Sequence, residues 1–234
     1  MKLTTRDATA VLAGGGLFTV GYLLYNYLKE LRKEDTSTTS SAQSTRVYET
    51  RKAVSEYLMF HFGASEDILP YPSSVVPHSA LDFASRTAAI CKTWVLRKGL
   101  ALESAFDVGC AVGRTSFDLS SDFPRVVGVD FSHAFIAAAN DMKAKGSASY
   151  THDVEGEIKA TRVATIPPGS RPSNTTFIQG DACNLPTAKE LGGAFTVIHA
   201  ANLLCRLPDP MCVIFVCPTL SPMKAPPPPS LLTL

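Results

Sequence analysis

The chain has 234 residues, of which 45% are hydrophobic and 18% are charged, and its formal net charge at pH 7 is +1. This balance suits one globular domain with appended segments and gives no indication of a nucleic-acid partner. The cysteines form no Cys-x-x-Cys pair, so we expect no zinc site. Several cysteines lie in apolar segments, which favours free thiols in a reducing compartment.

The N-terminal end divides into two segments. Residues 8–28 carry no charge and are long enough to span a bilayer as a helix, so we expect residues 1–34 to form a membrane anchor. A buried or interfacial helix is the alternative, and basic residues on both flanks leave the orientation open. Residues 35–45 are rich in Ser and Thr and are predicted to be a flexible linker. Without the anchor we expect a cytoplasmic protein.

Two helices are predicted before the first strand. The first begins near Val47 and ends at Gly63, where we expect a left-handed cap. Its aromatic end, Tyr57–Gly63, either packs on the domain or covers a site as a lid. The second helix is capped by Ser79, and its apolar residues follow at helical spacing. Trp94 is expected to pack this helix on the sheet.

A strand, a tight turn, a helix and a second strand are predicted between residues 105 and 130. The first strand stops at Gly109, and the turn runs through Ala111 and Gly113 with almost no side-chain bulk. The helix begins near Arg114. The second strand covers residues 126–129 and is closed by Asp130, about 20 residues after the first glycine, where nucleotide-binding βαβ units hold a ribose.

This turn resembles the first motif of class I S-adenosylmethionine-dependent methyltransferases, in the form Asp107-x-Gly109-x-Ala111-x-Gly113. A dinucleotide-binding Gly-x-Gly-x-x-Gly turn is disfavoured, because it would place Arg114 where the helix must pack closely on the strand. A βαβ turn without any ligand is the remaining alternative. The resemblance implies an α/β fold with a Rossmann-like sheet and S-adenosylmethionine as the cofactor.

The next elements extend this pattern. A helix is predicted from a Ser132 cap to about Lys145, followed by an inserted loop or small hairpin over residues 150–173. A third strand over 176–179 ends near Asp181 and Ala182. In the class I fold this strand end meets the adenine, which Asp181 can bind as an acceptor and the Ala182 N–H as a donor.

The fourth strand covers residues 194–201, and its end faces the substrate in class I methyltransferases. Asn202 offers both a donor and an acceptor there. His199 lies within the strand and is expected to be buried and hydrogen-bonded, so His61 is the better candidate for a base.

The C-terminal end departs from the class I pattern. Residues 211–217 are a short apolar run that we expect to cover the fourth strand as a fifth strand, and residues 218–234 are predicted to be a disordered, Pro-rich tail. A class I sheet has further strands for which this chain has no room. We therefore expect a partial methyltransferase domain over 46–217 with four to five strands, from truncation, altered splicing or gene prediction.

Four stretches together resemble the mercaptohistidine N-methyltransferase family of ovothiol biosynthesis: DVGCAVGRTSF, VVGVDFSHAFI, QGDACNLP and NLLCRLPDP. The resemblance covers roughly residues 57–210. It implies transfer of a methyl group from S-adenosylmethionine to an imidazole nitrogen of a thiol-bearing histidine. The sulfoxide synthase part that often precedes this domain is replaced here by the apolar N-terminus and the linker.

These observations predict a small-molecule methyltransferase with two groups of site residues. The predicted cofactor-binding residues are Asp107, Gly109, Ala111, Gly113, Asp130, Phe131, Asp181 and Ala182. The predicted acceptor-positioning residues are Asn202, Tyr57 and His61. Two alternatives remain: an inactive cofactor-binding fragment that acts as a membrane-tethered interaction module, and a nicotinamide-dependent oxidoreductase.

Overall fold

A computed structural model describes residues 47–69, 71, 74–75, 81–220 and 231–233. The predicted anchor and linker, residues 1–34 and 35–45, lie outside these ranges. Among the residues that the structure describes, none of the helices has the length and apolar character needed to cross a membrane.

The described strands form two sheets. In chain order they are β1 (Ser104–Val108), β2 (Arg125–Asp130), β3 (Ser147–Glu155), β4 (Ile158–Thr165), β5 (Thr175–Gln179), β6 (Val197–Ala200) and β7 (Leu231–Thr233). The main sheet is parallel with the order β5-β2-β1-β6-β7, and β3 and β4 form a separate antiparallel hairpin. The hairpin confirms one of the two predictions for the insertion.

Six described α-helices accompany the sheets. They are α1 (Arg51–Phe62), α2 (Ser65–Ile68), α3 (Phe83–Arg97), α4 (Arg114–Leu119), α5 (His133–Lys145) and α6 (Met211–Val216). The side chain of Thr50 caps α1, and the Ser132 hydroxyl accepts from the Phe135 N–H to cap α5 as predicted. The parallel sheet with helices before and between its strands confirms the α/β, Rossmann-like prediction.

Apolar side chains alternate between the two faces of the sheet, as a buried parallel sheet requires. One face carries Ala105, Val126 and Val197, which pack with Cys91 and Val95 of α3. The opposite face carries another set of buried residues, which pack with α6 and with the loops before and after it: Phe106, Val108, Val127, Val129, Ile198 and Ala200. The buried residues on both faces fix the register of the strands, and with it the positions of the strand ends.

The C-terminal prediction is wrong in one element. Residues Met211–Val216 form a helix instead of a fifth strand. Pro210 has helical backbone angles, and the Asp209 carboxylate accepts from the Met211 N–H at 3.0 Å, so the helix is started by its preceding residues. The fifth strand is instead β7, whose backbone pairs with β6.

The prediction that residues 218–234 are disordered is wrong for two described parts of this segment. Leu220 is 1% exposed, and its carbonyl accepts from the Phe195 N–H at 2.8 Å. Residues 231–233 pair in the sheet as β7. Residues 221–230 lie outside the described ranges.

Three local predictions about the N-terminal helices also need correction. Gly63 has extended backbone angles (φ −65°, ψ 155°), although its N–H still closes α1 on the Met59 carbonyl. Helix α3 begins at Phe83, after Asp82, and the predicted cap at Ser79 lies outside the described residues. Trp94 is 38% exposed, with the Lys98 ammonium 5.6 Å from its ring centroid, so it does not pack α3 on the sheet.

Candidate functional site

The carboxyl ends of β1, β2, β5 and β6 meet at one edge of the sheet, where open α/β sheets bind ligands. The turn after β1 is fixed to β2 because the N–H groups of Gly109 and Cys110 both donate to the Val129 carbonyl, at 2.7 and 3.0 Å. The turn after β5 is fixed in the same way, by the Gly180 N–H on the Asp130 carbonyl at 2.9 Å. Three strand ends are therefore held together by backbone hydrogen bonds.

The glycine turn adopts left-handed backbone angles at three alternate positions. The φ angles are +79° at Gly109, +47° at Ala111 and +88° at Gly113. A Cβ added to Gly113 would lie 2.8 Å from Cζ of Phe177, so the turn needs glycine there for space as well as for conformation. Ala111 tolerates its strained angle, and its N–H donates to Oδ2 of Asp130 at 2.9 Å.

Asp130 lies at the centre of the strand edge. Oδ1 accepts from the Ser132 N–H and Oδ2 from the Ala111 N–H, each at 2.9 Å. Burial raises the pKa of this carboxyl, and the two N–H donors oppose that rise. Each carboxylate oxygen keeps one acceptor site, so the group can still bind a pair of hydroxyls. Phe131, next to it, is 49% exposed and offers an aromatic face at the same edge.

The turn after β5 presents the residues predicted to bind adenine. Asp181 is exposed, and its Oδ1 accepts from the Cys183 N–H at 2.8 Å, which starts a short 3₁₀ helix over Ala182–Asn184. Ala182 is buried. The second carboxylate oxygen of Asp181 remains an available acceptor.

Asp107 does not present its carboxylate to this edge. It is 1% exposed, its Oδ2 accepts from the Ser116 hydroxyl at 2.6 Å, and its Oδ1 lies 2.8 Å from Nδ1 of His199. The prediction that Asp107 contacts the cofactor is therefore corrected to a positioning role behind the glycine turn. The expectation of a buried, hydrogen-bonded His199 is confirmed, and its Nε2 has no protein partner.

Helix α1 packs over the glycine turn. Leu58 is buried in one cluster with Ala111, Val112 and Phe117. The ring of Tyr57 lies 4.5 Å from that of Phe135 and 5.5 Å from that of His61. The aromatic segment thus packs on the domain, and its function as a lid over the site stays a prediction.

His61 is a neutral ring in this position. Burial lowers its pKa from 6.5 to about 4, and the nearby Arg114 adds to that effect, whereas Asp107 opposes it. Nδ1 is buried without a hydrogen-bond partner. A histidine with this pKa is a weak proton acceptor at neutral pH, which favours a positioning role over general-base catalysis.

Asn202 follows β6 with a left-handed φ of +52° and an exposed side chain. Asn is one of the few residues that adopt this conformation readily. The next residue, Leu203, packs on the glycine turn, since a Cβ at Gly109 would lie 3.1 Å from its Cδ1. Asn202 is therefore brought to the same edge as the turn.

Three features of the site were not expected from the sequence. Arg114 bonds to the Asp118 carboxylate, the Ser85 hydroxyl and the His61 carbonyl, and so ties α4 to α3 and α1. The Glu49 carboxylate accepts from the N–H groups of His133 and Ala134 and so holds the segment before α1 on α5. Apart from Asp118, which follows Arg114 at i+4 in the same helix, these partners are far apart in the sequence, and no local pattern indicates them.

The third feature is a disulfide between Cys183 and Cys212. It corrects the expectation of free thiols for these two cysteines. Cys91, Cys110 and Cys217 are free and buried, as ordinary core residues, and Cys205 is free and exposed.

Comparisons with known proteins agree with this geometry. Residues 106–214 match the family described as "Methyltransferase domain". A search of curated protein sequences finds no match for the chain.

Several solved structures are similar in fold. Magnesium protoporphyrin IX methyltransferase (ChlM) from Synechocystis PCC 6803 with bound SAM is 14% identical, with 80% of this chain and 74% of that chain covered and a TM-score of 0.51. The same enzyme with bound SAH is 13% identical, with 78% of this chain and 68% of that chain covered and a TM-score of 0.50. YcgJ from Bacillus subtilis gives 16% identity and a TM-score of 0.39 over 58% of this chain.

This chain spans about half the length, 46%, of YcgJ and of several other matching structures. At these identities the likeness shows the fold. The shared fold is a Rossmann-like parallel sheet, and the family match lies within it, over residues 106–214.

Proposed function

We propose that the chain is an S-adenosylmethionine-dependent methyltransferase that acts on a small molecule. The observation that carries the proposal is the hydrogen bond between the Ala111 N–H and the Asp130 carboxylate. This bond brings a turn with little side-chain bulk beside an acidic strand end, which is the arrangement that an adenosyl ligand needs.

The residues at the strand edge fit the adenosyl group. Asp130 has a free acceptor site on each oxygen for the two ribose hydroxyls. Asp181 keeps an oxygen free for the exocyclic amine of adenine, with the Ala182 N–H as the neighbouring donor. Gly109 and Gly113 keep the turn free of side-chain bulk, and a side chain at either position would also meet Leu203 or Phe177. Phe131 adds an exposed aromatic face.

Asp107 supports this site from behind. Its bonds to Ser116 of α4 and His199 of β6 connect β1 to the helix that follows the glycine turn and to the neighbouring strand. The turn is thereby held rigid, so the cofactor would not have to order it on binding.

When bound, S-adenosylmethionine supplies a methyl group on a positively charged sulfur. The protein's part is to align the acceptor with that methyl and to exclude water. Helix α1 covers the turn, and Tyr57 and His61 lie on it as a pair of rings. Asn202 extends from the end of β6 as an exposed amide at the same edge. These groups can orient a flat, polar acceptor without transferring a proton.

For the acceptor we propose an imidazole nitrogen of a thiol-bearing histidine. The basis is the resemblance of residues 57–210 to the mercaptohistidine N-methyltransferase family. A neutral imidazole already has a lone pair, so no strong base is needed, which agrees with the lowered pKa of His61.

Two measurements test the proposal in turn. Calorimetry on the full chain should show binding of S-adenosylhomocysteine and none of NAD. Mass spectrometry after incubation with S-adenosylmethionine should show one added methyl on mercaptohistidine and none on histidine or an unrelated thiol.

The outcomes separate the parts of the proposal. Failure to bind S-adenosylhomocysteine would contradict the cofactor. Binding without methylation of mercaptohistidine would contradict the acceptor, and binding without turnover on any imidazole would favour the inactive interaction module.

A further inference from the structure

The Cys183–Cys212 disulfide lies beside the proposed adenine site. Cys183 belongs to the 3₁₀ helix Ala182–Asn184, directly after Asp181, and Cys212 lies in the first turn of α6. The two Cα atoms are 4.9 Å apart although 29 residues separate them in the sequence. We propose that this pair is a thiol–disulfide modification site whose redox state sets how tightly the loop Asp181–Asn184 holds adenine. The inference rests on the proposed cofactor.

The two ends of the disulfide differ in how firmly they are held. Cys212 is 1% exposed and lies in the core cluster with Val213, Phe195 and Leu220. The loop of Cys183 is short, and Ala182 is its one residue buried in that cluster. Its other contacts are local, since Asp181 accepts from the N–H groups of Cys183 and Asn184 at 2.8 and 2.9 Å. The bond therefore fastens a surface loop to a buried helix.

Access to the two sulfurs also differs. Cys183 is only partly buried, whereas Cys212 is almost fully enclosed. An attacking thiolate would reach Sγ of Cys183 first. The buried thiols of Cys91 and Cys217, whose pKa burial raises to about 12, are poor competitors for exchange.

The exchange balances with a small thiol such as glutathione as the reductant. Its thiolate attacks Sγ of Cys183, a mixed disulfide forms there, and the Cys212 sulfur leaves as a thiolate and takes up a proton. A second glutathione thiolate attacks the mixed disulfide, releases Cys183 as a thiol and forms glutathione disulfide. Two electrons and two protons pass to the protein in total, and oxidation by glutathione disulfide reverses both steps.

Reduction removes the only covalent link that the described residues give this loop. Asp181 would then have to be ordered when adenine binds, at a cost in affinity. Ribose contacts through Asp130 lie on β2 and are unaffected. The expected change is thus a partial loss of affinity and not an abolition of binding.

The test uses the full chain in oxidised and reduced glutathione buffers. Peptide mapping without reduction should identify the Cys183–Cys212 link. Calorimetry should show about three- to tenfold weaker S-adenosylhomocysteine binding after reduction. Amide hydrogen exchange at Cys183 and Asn184 should become faster at the same time.

Matched variants separate the bond from general effects of reduction. Cys183→Ser and Cys212→Ala should bind like the reduced protein in both buffers. Cys205→Ser removes an exposed free thiol and should keep the redox response of the unaltered chain.

Equal affinity of the oxidised and reduced chains, or alkylation of Cys183 in the oxidised chain, would overturn the inference. If neither form binds S-adenosylhomocysteine, the proposed function fails instead. In that case peptide mapping and amide exchange still decide whether the disulfide orders the loop.

Discussion

The backbone N–H of Ala111 lies 2.9 Å from Oδ2 of Asp130, so the turn after β1 and the end of β2 are joined through a side chain. The carboxylate has two functions in this arrangement. It holds the left-handed conformation of Ala111 in place, and it presents its remaining acceptor sites to the strand edge. Local structure and proposed ligand binding therefore depend on the same group.

Substitution of Asp130 should weaken cofactor binding. Asp130→Ala removes both acceptors for the ribose and frees the Ala111 N–H, so we expect about 1–3 kcal/mol of lost binding free energy, or roughly 5- to 150-fold in Kd. Asp130→Asn keeps one acceptor oxygen and should lose less. Calorimetry with S-adenosylhomocysteine measures both variants.

Asp141→Ala is the matched control for Asp130. Its carboxylate is 63% exposed on α5 and, among the described residues, forms an ion pair with Lys145 at 3.2 Å. Its affinity should equal that of the unaltered chain. Unchanged affinity in Asp130→Ala would rule out the ribose assignment.

Gly113 should tolerate alanine less well than Gly146. Both Gly113 and Gly146 have left-handed angles, with φ of +88° and +76°, so alanine is strained at either position. Only at Gly113 would the new Cβ meet other atoms, at 2.8 Å from Phe177 and 3.2 Å from Ala139. Gly113→Ala should therefore lower the free energy of unfolding by about 1–3 kcal/mol more than Gly146→Ala does.

Urea unfolding of the two glycine variants provides the comparison. Adding Phe177→Leu to Gly113→Ala should recover part of the loss, because the shorter side chain relieves the contact. Equal losses in Gly113→Ala and Gly146→Ala would show that the backbone angle alone makes glycine necessary.

Elements with a strong local pattern were predicted well. The apolar runs before Gly109 and Asp130 became β1 and β2, and the Ser132 cap fixed the start of α5. The Met211–Val216 helix was missed because six apolar residues have no clear period, and the useful signal was the Asp209-Pro210 pair before them.

Long-range contacts explain what the sequence could not show about the site. The spacing of Gly109 and Asp130 was enough to predict that the turn and the carboxylate are neighbours, because both belong to one local βαβ unit. The partner of Asp107 is His199, 92 residues away in the chain. No spacing rule links the two, so the carboxylate was assigned to the ligand instead of the interior.

Asp107 should contribute chiefly to stability. Asp107→Ala leaves the Ser116 hydroxyl and the His199 ring without their partner in the interior, so the free energy of unfolding should fall by about 2–4 kcal/mol. Ser116→Ala removes one hydrogen bond and leaves the carboxylate with the other, at a cost of about 1 kcal/mol.

Chemical unfolding of the single and double variants measures this coupling. The double variant Asp107→Ala, Ser116→Ala should cost less than the sum of the two single changes, since one interaction is lost in both. Additive losses would mean that the Asp107–Ser116 hydrogen bond does not stabilise the fold.

His61 should make stability depend on pH in the acid range. Its pKa is lowered from 6.5 to about 4 in the folded chain, so between these values the unfolded state binds a proton that the folded state does not. Stability from this group is present above pH 6.5 and is lost as the pH falls toward 4, with a slope of up to about 1.4 kcal/mol per pH unit. Burial raises the pKa of Asp130, and this shift changes stability with pH in the opposite direction.

Urea unfolding at pH 7, 6 and 5 measures the contribution of His61. The free energy of unfolding should decline less steeply with falling pH in His61→Gln than in the unaltered chain. His133→Gln changes an exposed ring and should keep the original slope. If His61→Gln also keeps that slope, the ring is not held neutral by burial, and its positioning role on α1 loses its physical basis.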